Sequence, residues 1–241
     1  MRVLDANGKR VLIISDTHCP YHHKHWLSFL NAVRTKYLES DSLIIHIGDE
    51  IDNHAISMHP SDVDLYSAGE ELEQACINMQ DLASLFPSMH LCDSNHGSLA
   101  VRNFKLHGLP LRLLKPLDQI YGVPTTWSWE EDYLLKTRNG DVYVCHGKSS
   151  GFDKLSKEVG CSAIQGHYHG KFSIAWSNTA LQQRFNMFVG CLIDRKSLAF
   201  AYGKNHIPKP IIGVGMLSKC GYPTLVKMEL NEKGEWTGNL P

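Results

Sequence analysis

A chain of 241 residues with 43% apolar content is long enough to bury a sizeable core, and one domain spanning 1–241 is the default expectation. A formal net charge of -1 argues against a strongly basic nucleic-acid-coating protein but leaves room for a local basic patch. No run of ~18 apolar residues appears, so no membrane span is expected. Seven cysteines, none in a C-x-x-C pair, argue against a disulfide framework or a zinc ribbon. Met1 to Arg10 lacks an apolar signal-peptide core, and the expected location is the cytoplasm. Fourteen histidines prompt a search for metal ligands.

Val11-Leu12-Ile13-Ile14 reads as a buried strand, followed by Asp16 and His18. The 3–4 spacing of Trp26, Phe29, Leu30, Val33 and Tyr37 predicts an amphipathic helix. Leu43 to Ile47 is a second strand, ending at Gly48-Asp49. Ser67 and Glu70 form a capping-box pattern that opens a second helix, with Leu72, Cys76, Met79, Leu82, Ala83 and Phe86 on its apolar face. A third strand, His90 to Cys92, ends near Asn95-His96. A fourth, Val142 to Cys145, ends at His146, and a fifth, Ala163 to Gln165, ends at Gly166-His167. Asn103 to Tyr121 reads as short helical pieces, and residues about 97–130 as a small cap insertion. From Phe172 onward the chain is β-rich, with strands expected at Phe185 to Ile193, Ser197 to Tyr202 and Thr224 to Leu230, and a turn at Asn231 to Gly234. Strands alternating with helices indicate an α/β fold.

Each of the five early strands is followed by residues that bind metals. Ligands of α/β sheets gather beyond the carboxyl ends of strands, so the five clusters can converge. Asp16 and His18, two apart on an extended chain, can reach one ion, and His167 and His169, with the same spacing, can point into one site. Asp49 is a carboxylate able to bridge two cations. Asn95 offers a neutral oxygen and His146 an imidazole. This mixed nitrogen and oxygen set suits two divalent ions, Mn above all, with Fe, Zn or Ni as alternatives. Two such ions ~3.5–4 Å apart clamp a phosphoryl group and lower the pKa of a bridging water, whose hydroxide attacks in line. A histidine beside the ions is the natural acid for the leaving group.

The order Asp-x-His, Gly-Asp, Asn-His, His, Gly-His-x-His resembles the calcineurin-like metallophosphoesterases over residues 11 to about 193. The resemblance implies a fold of two mixed β-sheets packed as a sandwich and flanked by helices. It implies that Asp16, His18 and His169 hold one metal, that Asn95, His146 and His167 hold the other, that Asp49 bridges, and that His96 protonates the leaving group. One motif departs from the family pattern. Gly-Asn-His followed by Asp or Glu is replaced by Ser94-Asn95-His96-Gly97, so His96 needs another supporting residue. The stretch Ser94 to Arg102 resembles phage-encoded members more than cellular ones.

Around this set, Gly97 to Leu117 carries Arg102, Lys105, His107, Arg112 and Lys115 with no acid, and reads as a basic rim for phosphates. Arg102 is its best substrate contact. His54, five residues past Asp49, is a second candidate, since the family's repair nucleases have an assisting histidine near this place. His22, His23 and His25 read as surface residues, Asp52 and Asn53 as turn residues, and Cys19 and Cys145 as packing residues. His59 and His206 carry no assignment. The expected substrate is a phosphodiester in nucleic acid or a nucleotide. A phosphomonoester is the first alternative and a non-catalytic binding scaffold the second. No membrane partner is expected, and the sequence leaves the oligomeric state open.

Overall fold

The computed structural model describes residues 1–58, 64–180, 182–197 and 209–241. Its fold is α/β, with two mixed six-stranded sheets flanked by helices. One sheet has the order β1(Arg2–Asp5), β6(Tyr133–Thr137), β7(Gly140–Cys145), β8(Ser162–Gln165), β10(Gln183–Val189), β9(Phe172–Asn178). The other has the order β12(Pro223–Lys227), β11(Gly213–Leu217), β2(Val11–Ile14), β3(Leu43–His46), β4(Met89–Cys92), β5(Trp127–Glu130). Strands β2 to β5 run parallel, β11 pairs antiparallel with β2, and β12 pairs antiparallel with β11. In the first sheet β7, β8 and β10 are parallel.

The sandwich explains why β2 is apolar at every position. Val11 and Ile13 join a core between the sheets with Ile45, Tyr133, Leu135, Val144, Ile164 and Met187. Leu12 and Ile14 face the opposite way, into a core under α1(Trp26–Tyr37) and α2(Ala68–Leu85) with Phe29, Leu30, Met79 and Leu82. A strand covered on both faces gains from burial at every residue, so alternation disappears. A smaller core of Tyr143, Cys145, Leu155 and Ala163 lies under α5(Lys154–Val159).

Both expected helices form, and the Ser67–Glu70 capping box is present, with the Ser67 N–H donating to Glu70 Oε2 at 3.0 Å. The buried face of α2 is rotated from the expected stripe. Leu72 stands exposed and Glu71 is buried, because its carboxylate accepts the N–H groups of His54 and Ala55 at 2.7 and 2.8 Å. Strands β1, β5, β6 and β11 were not expected. Each is four or five residues long, too short for a clear period. The strand expected over Ser197 to Tyr202 lies, beyond Ser197, outside the described residues, as do His59 and His206. The 97–130 stretch contains α3(Leu99–Leu106), a 3-10 turn at Leu111–Leu113, α4(Leu117–Tyr121) and then β5. Residues 231–234 turn as expected, with the Asn231 N–H on the Glu235 carbonyl. Among the described residues no helix is long and apolar enough to cross a membrane.

Candidate metal centre

Strands β2, β3, β4, β7 and β8 all deliver their carboxyl ends to one place. Backbone hydrogen bonds tie these ends together, among them Asp16 N to the Gly48 carbonyl at 3.1 Å and His18 N to the Asp49 carbonyl at 2.8 Å. The chain there is not extended, contrary to the sequence expectation. Asp16, His18, Asp49 and His167 all take left-handed φ values of 51, 47, 53 and 64°. Such a conformation costs on the order of 1–3 kcal/mol per residue and persists only where neighbours enforce it. It turns these side chains off the strand direction into the shared centre. Gly48 and Gly166 make the crowding possible. A Cβ on Gly48 would lie 2.6 Å from Ser94 Cβ, and one on Gly166 would lie 1.9 Å from Ser15 Oγ.

Among the described residues three sets of side chains could hold a metal ion, Asp16 with His18 and His169, Asp49 with His146 and His167, and, overlapping both, His18 with Asp49 and His96. In the first, Asp16 Oδ1 is 3.0 Å from His169 Nε2, and His18 Nε2 is 3.2 Å from His169 Nε2. In the second, His146 Nε2 is 2.8 Å from Asn95 Oδ1, which adds a neutral oxygen. Asp49 Oδ2 lies between the groups, 3.5 Å from His18 Nε2 and 3.2 Å from His146 Nε2. The structure therefore brings all seven expected ligands together.

The donor chemistry fits a cation. The Nδ1–H of His146 donates to the Ile47 carbonyl at 2.8 Å, and that of His18 donates to Asp52 Oδ1 at 2.5 Å. Each ring's remaining nitrogen then presents a lone pair to oxygens that also carry only lone pairs. Without a cation, protons must fill this role. Burial works against charge on His146, yet the Asp49 carboxylate prevails and pushes its imidazole up to about 9. Burial likewise opposes ionisation of Asp16 and Asp49, but the surrounding histidines hold both well below the usual carboxylate range. A divalent ion at either group would displace such protons.

No family model and no curated protein matches the chain. Similar solved structures include an archaeal phosphodiesterase, 12% identical with a TM-score of 0.44, covering 90% of this chain and 99% of that one. They also include Vps29 of Chaetomium thermophilum, 8% identical with a TM-score of 0.47, covering 97% of this chain and 93% of that one. At such identities neither assigns a role to any residue here, so the roles argued below rest on this chain's own geometry.

Asp52, expected as a turn residue, is a central part of the site. It is buried, and besides His18 it engages His96, whose Nδ1 donates to the Asp52 carbonyl and lies 3.3 Å from its carboxylate. His96 is held further by its own N–H on Asp49 Oδ1 at 3.0 Å and by Asn53 Nδ2 on its carbonyl at 2.9 Å. The histidine that lacks an acid at position 97 thus has one from position 52. The only signal in the sequence was its place three residues after Asp49. Asp52→Asn should reduce both metal affinity and turnover about 10–100-fold, as removal of a carboxylate behind a ligating histidine does. Equilibrium dialysis of the cation and hydrolysis of a chromogenic diester would measure both, and unchanged values would remove Asp52 from the site.

The space that a side chain at position 97 would need is already taken. A Cβ on Gly97 would lie 2.9 Å from Ser94 Oγ and 3.4 Å from Glu50 Oε1. Ser94 Oγ accepts the N–H groups of Asp49 and Gly97 at 2.8 and 3.1 Å, and Glu50 Oε1 accepts Trp129 Nε1–H at 3.1 Å. Burial pushes the Glu50 carboxyl up to about 7. Gly97→Asp, which would place an acid directly after His96, should therefore destabilise by ~1–3 kcal/mol through crowding and a second buried acid. Thermal denaturation checks this, and a stable variant with higher turnover would contradict it.

The remaining candidates sit around the centre. His54 is buried, with Nδ1 3.8 Å from Asp52 Oδ2, but belongs to neither metal group. Arg102 is exposed and donates to the Asn95 carbonyl, so it braces the loop that carries Asn95. Cys19 and Cys145 are buried packing residues, as expected, and burial pushes the Cys145 thiol up to about 12. His23 is not at the surface. It is buried, its Nε2 on the Gly234 carbonyl at 3.0 Å, while half-buried His22 packs on Trp26 at 4.6 Å.

Proposed function

We propose that the protein is a metal-dependent phosphoesterase of the calcineurin-like class that hydrolyses a phosphodiester at a dinuclear centre. The observation that carries this reading is the position of Asp49, one oxygen of which lies within 3.5 Å of an imidazole nitrogen from each metal group. Asp16, His18 and His169 would hold one cation, Asn95, His146 and His167 the other, and Asp49 both. The bound cations, with Mn as the favoured metal, would supply Lewis acidity and a nucleophilic water at neutral pH. His96 supplies the leaving-group proton. Its Nδ1 is committed to Asp52, so Nε2 is the nitrogen that turns to substrate. Asp52 keeps that ring oriented.

A second reading has one observation in its favour. His96 lies close enough to His18 and Asp49 to share a cation with them. In that case it is a ligand and another group is the acid.

A diester in nucleic acid or a nucleotide is the favoured substrate class, because exposed Arg102 follows His96 by six residues and is held beside the centre by its bond to the Asn95 carbonyl. The test is hydrolysis by metal-stripped protein reloaded with Mn²⁺, comparing bis(p-nitrophenyl) phosphate with p-nitrophenyl phosphate. Preference for the diester is expected. Preference for the monoester would make the protein a phosphatase, and Mn²⁺-independent inactivity on both would remove the enzymatic reading in favour of a binding scaffold.

A further inference from the structure

We infer that the segment from α3 to the 3-10 turn, Leu99 to Leu113, is an arm that docks the protein on an anionic lipid surface. The inference concerns where the protein sits rather than what it cleaves, and it does not depend on the hydrolytic reading.

Helix α3 buries none of its residues. Leu106, Leu109, Leu111 and Leu113 are 79%, 44%, 44% and 65% exposed. Among the described residues, fourteen large hydrophobic side chains stand exposed, and four of them fall within these eight positions. The other ten are spread over the chain. Isolated exposed leucines are ordinary, but a cluster of this density marks a contact surface. The loop before it is tied to α3, where Asn103 Nδ2 donates to the Ile56 carbonyl at 3.2 Å, and two residues further along Met58 is 99% exposed.

Charge selects the occupant. Arg102, Lys105, His107, Arg112 and Lys115 are all exposed, and no acid occurs from Gly97 to Leu117. At the end of α3, Lys105 and Leu106 are adjacent and both exposed, so a cation and a leucine stand side by side. A second copy seated on the same face would set cations against cations. A single nucleic-acid strand offers phosphates, but its bases reward flat aromatic side chains. The arm's one aromatic residue, Phe104, is half-buried. A bilayer containing anionic lipid meets both demands, with hydrocarbon for the leucines and negative head groups for the lysines and arginines.

The experiment is co-sedimentation of the full chain with phosphatidylcholine vesicles, with and without about one-third phosphatidylglycerol. Binding is expected only to the anionic vesicles, weakening as salt rises. The double variant Leu106→Ser/Leu113→Ser should lose at least about tenfold in vesicle affinity. The triple variant Lys105→Gln/Arg112→Gln/Lys115→Gln should lose on the order of 100-fold. All five side chains are exposed, so both variants should keep the far-UV circular dichroism melting curve of the parent, a control that holds whether or not hydrolysis is found. Absence of binding to anionic vesicles at low salt would overturn the inference, as would full binding by the leucine variant. Two other results would replace it: leucine-dependent binding of single-stranded DNA without vesicle binding, or a concentration-dependent dimer abolished by the leucine variant.

Discussion

Asp49→Asn is expected to abolish turnover and to remove both cations together. The substitution keeps size and shape. An asparagine oxygen can still accept the His96 N–H that Asp49 Oδ1 accepts at 3.0 Å, and the backbone N–H at 49 still donates to Ser94 Oγ at 2.8 Å. What disappears is a negative charge within 3.5 Å of both His18 Nε2 and His146 Nε2. A neutral amide offers a single weak donor oxygen where two cations need a shared anion. Elemental analysis after dialysis should find neither ion retained, while circular dichroism matches the parent. Loss of only one ion would show that Asp49 serves a single metal, and retention of both with activity would refute the dinuclear reading.

His96→Ala is expected to retain both cations and slow hydrolysis by ~10²–10⁴-fold, which is about 3–5 kcal/mol on the barrier. The loss should shrink for a diester with a good leaving group such as p-nitrophenolate, which departs without a proton, and should be largest for an alkoxide leaving group. This dependence separates the two roles open to His96. If His96 ligates a cation with His18 and Asp49, the variant loses metal and slows every substrate alike. Metal content and the ratio of rates for the two leaving groups together decide between them.

Much of the centre could be read from the chain because its candidate ligands follow short strands that are mostly buried. Asp16, His18, Asp49, Asn95, His146, His167 and His169 were each expected, and all meet in the structure. The manner of their meeting was not legible. An i, i+2 pair on an extended chain would suffice for Asp16 and His18, yet both residues are left-handed, and hydrogen bonds from neighbouring strands enforce that conformation. Asp52 was missed for a similar reason. An Asp-Asn pair after a strand has the local chemistry of a turn, and Asn53 does adopt a left-handed turn conformation at the start of the 3-10 helix. Only burial against His18 and His96, 34 and 44 residues away along the chain, separates Asp52 from an ordinary turn residue. Glu71 and His23 follow the same rule. A charged residue in a helix and a histidine in a polar run read as exposed until the partners that accept or donate to them are known.

What the amino-acid sequence determined by itself was the inventory: which strands are buried, that an α/β core forms, and which side chains stand beyond the strand ends. Local periodicity and residue chemistry suffice for this, because burial on both faces leaves its mark on each strand separately. The tertiary structure alone decided what supports the inventory. It set the carboxylate behind His96, the Ser94 and Glu50 side chains that occupy the space beside Gly97, and the four leucines between positions 106 and 113 left in solvent. These depend on approaches between residues distant in sequence. Such contacts are specified by the packing of two sheets and their helices, and no short stretch of the chain encodes them.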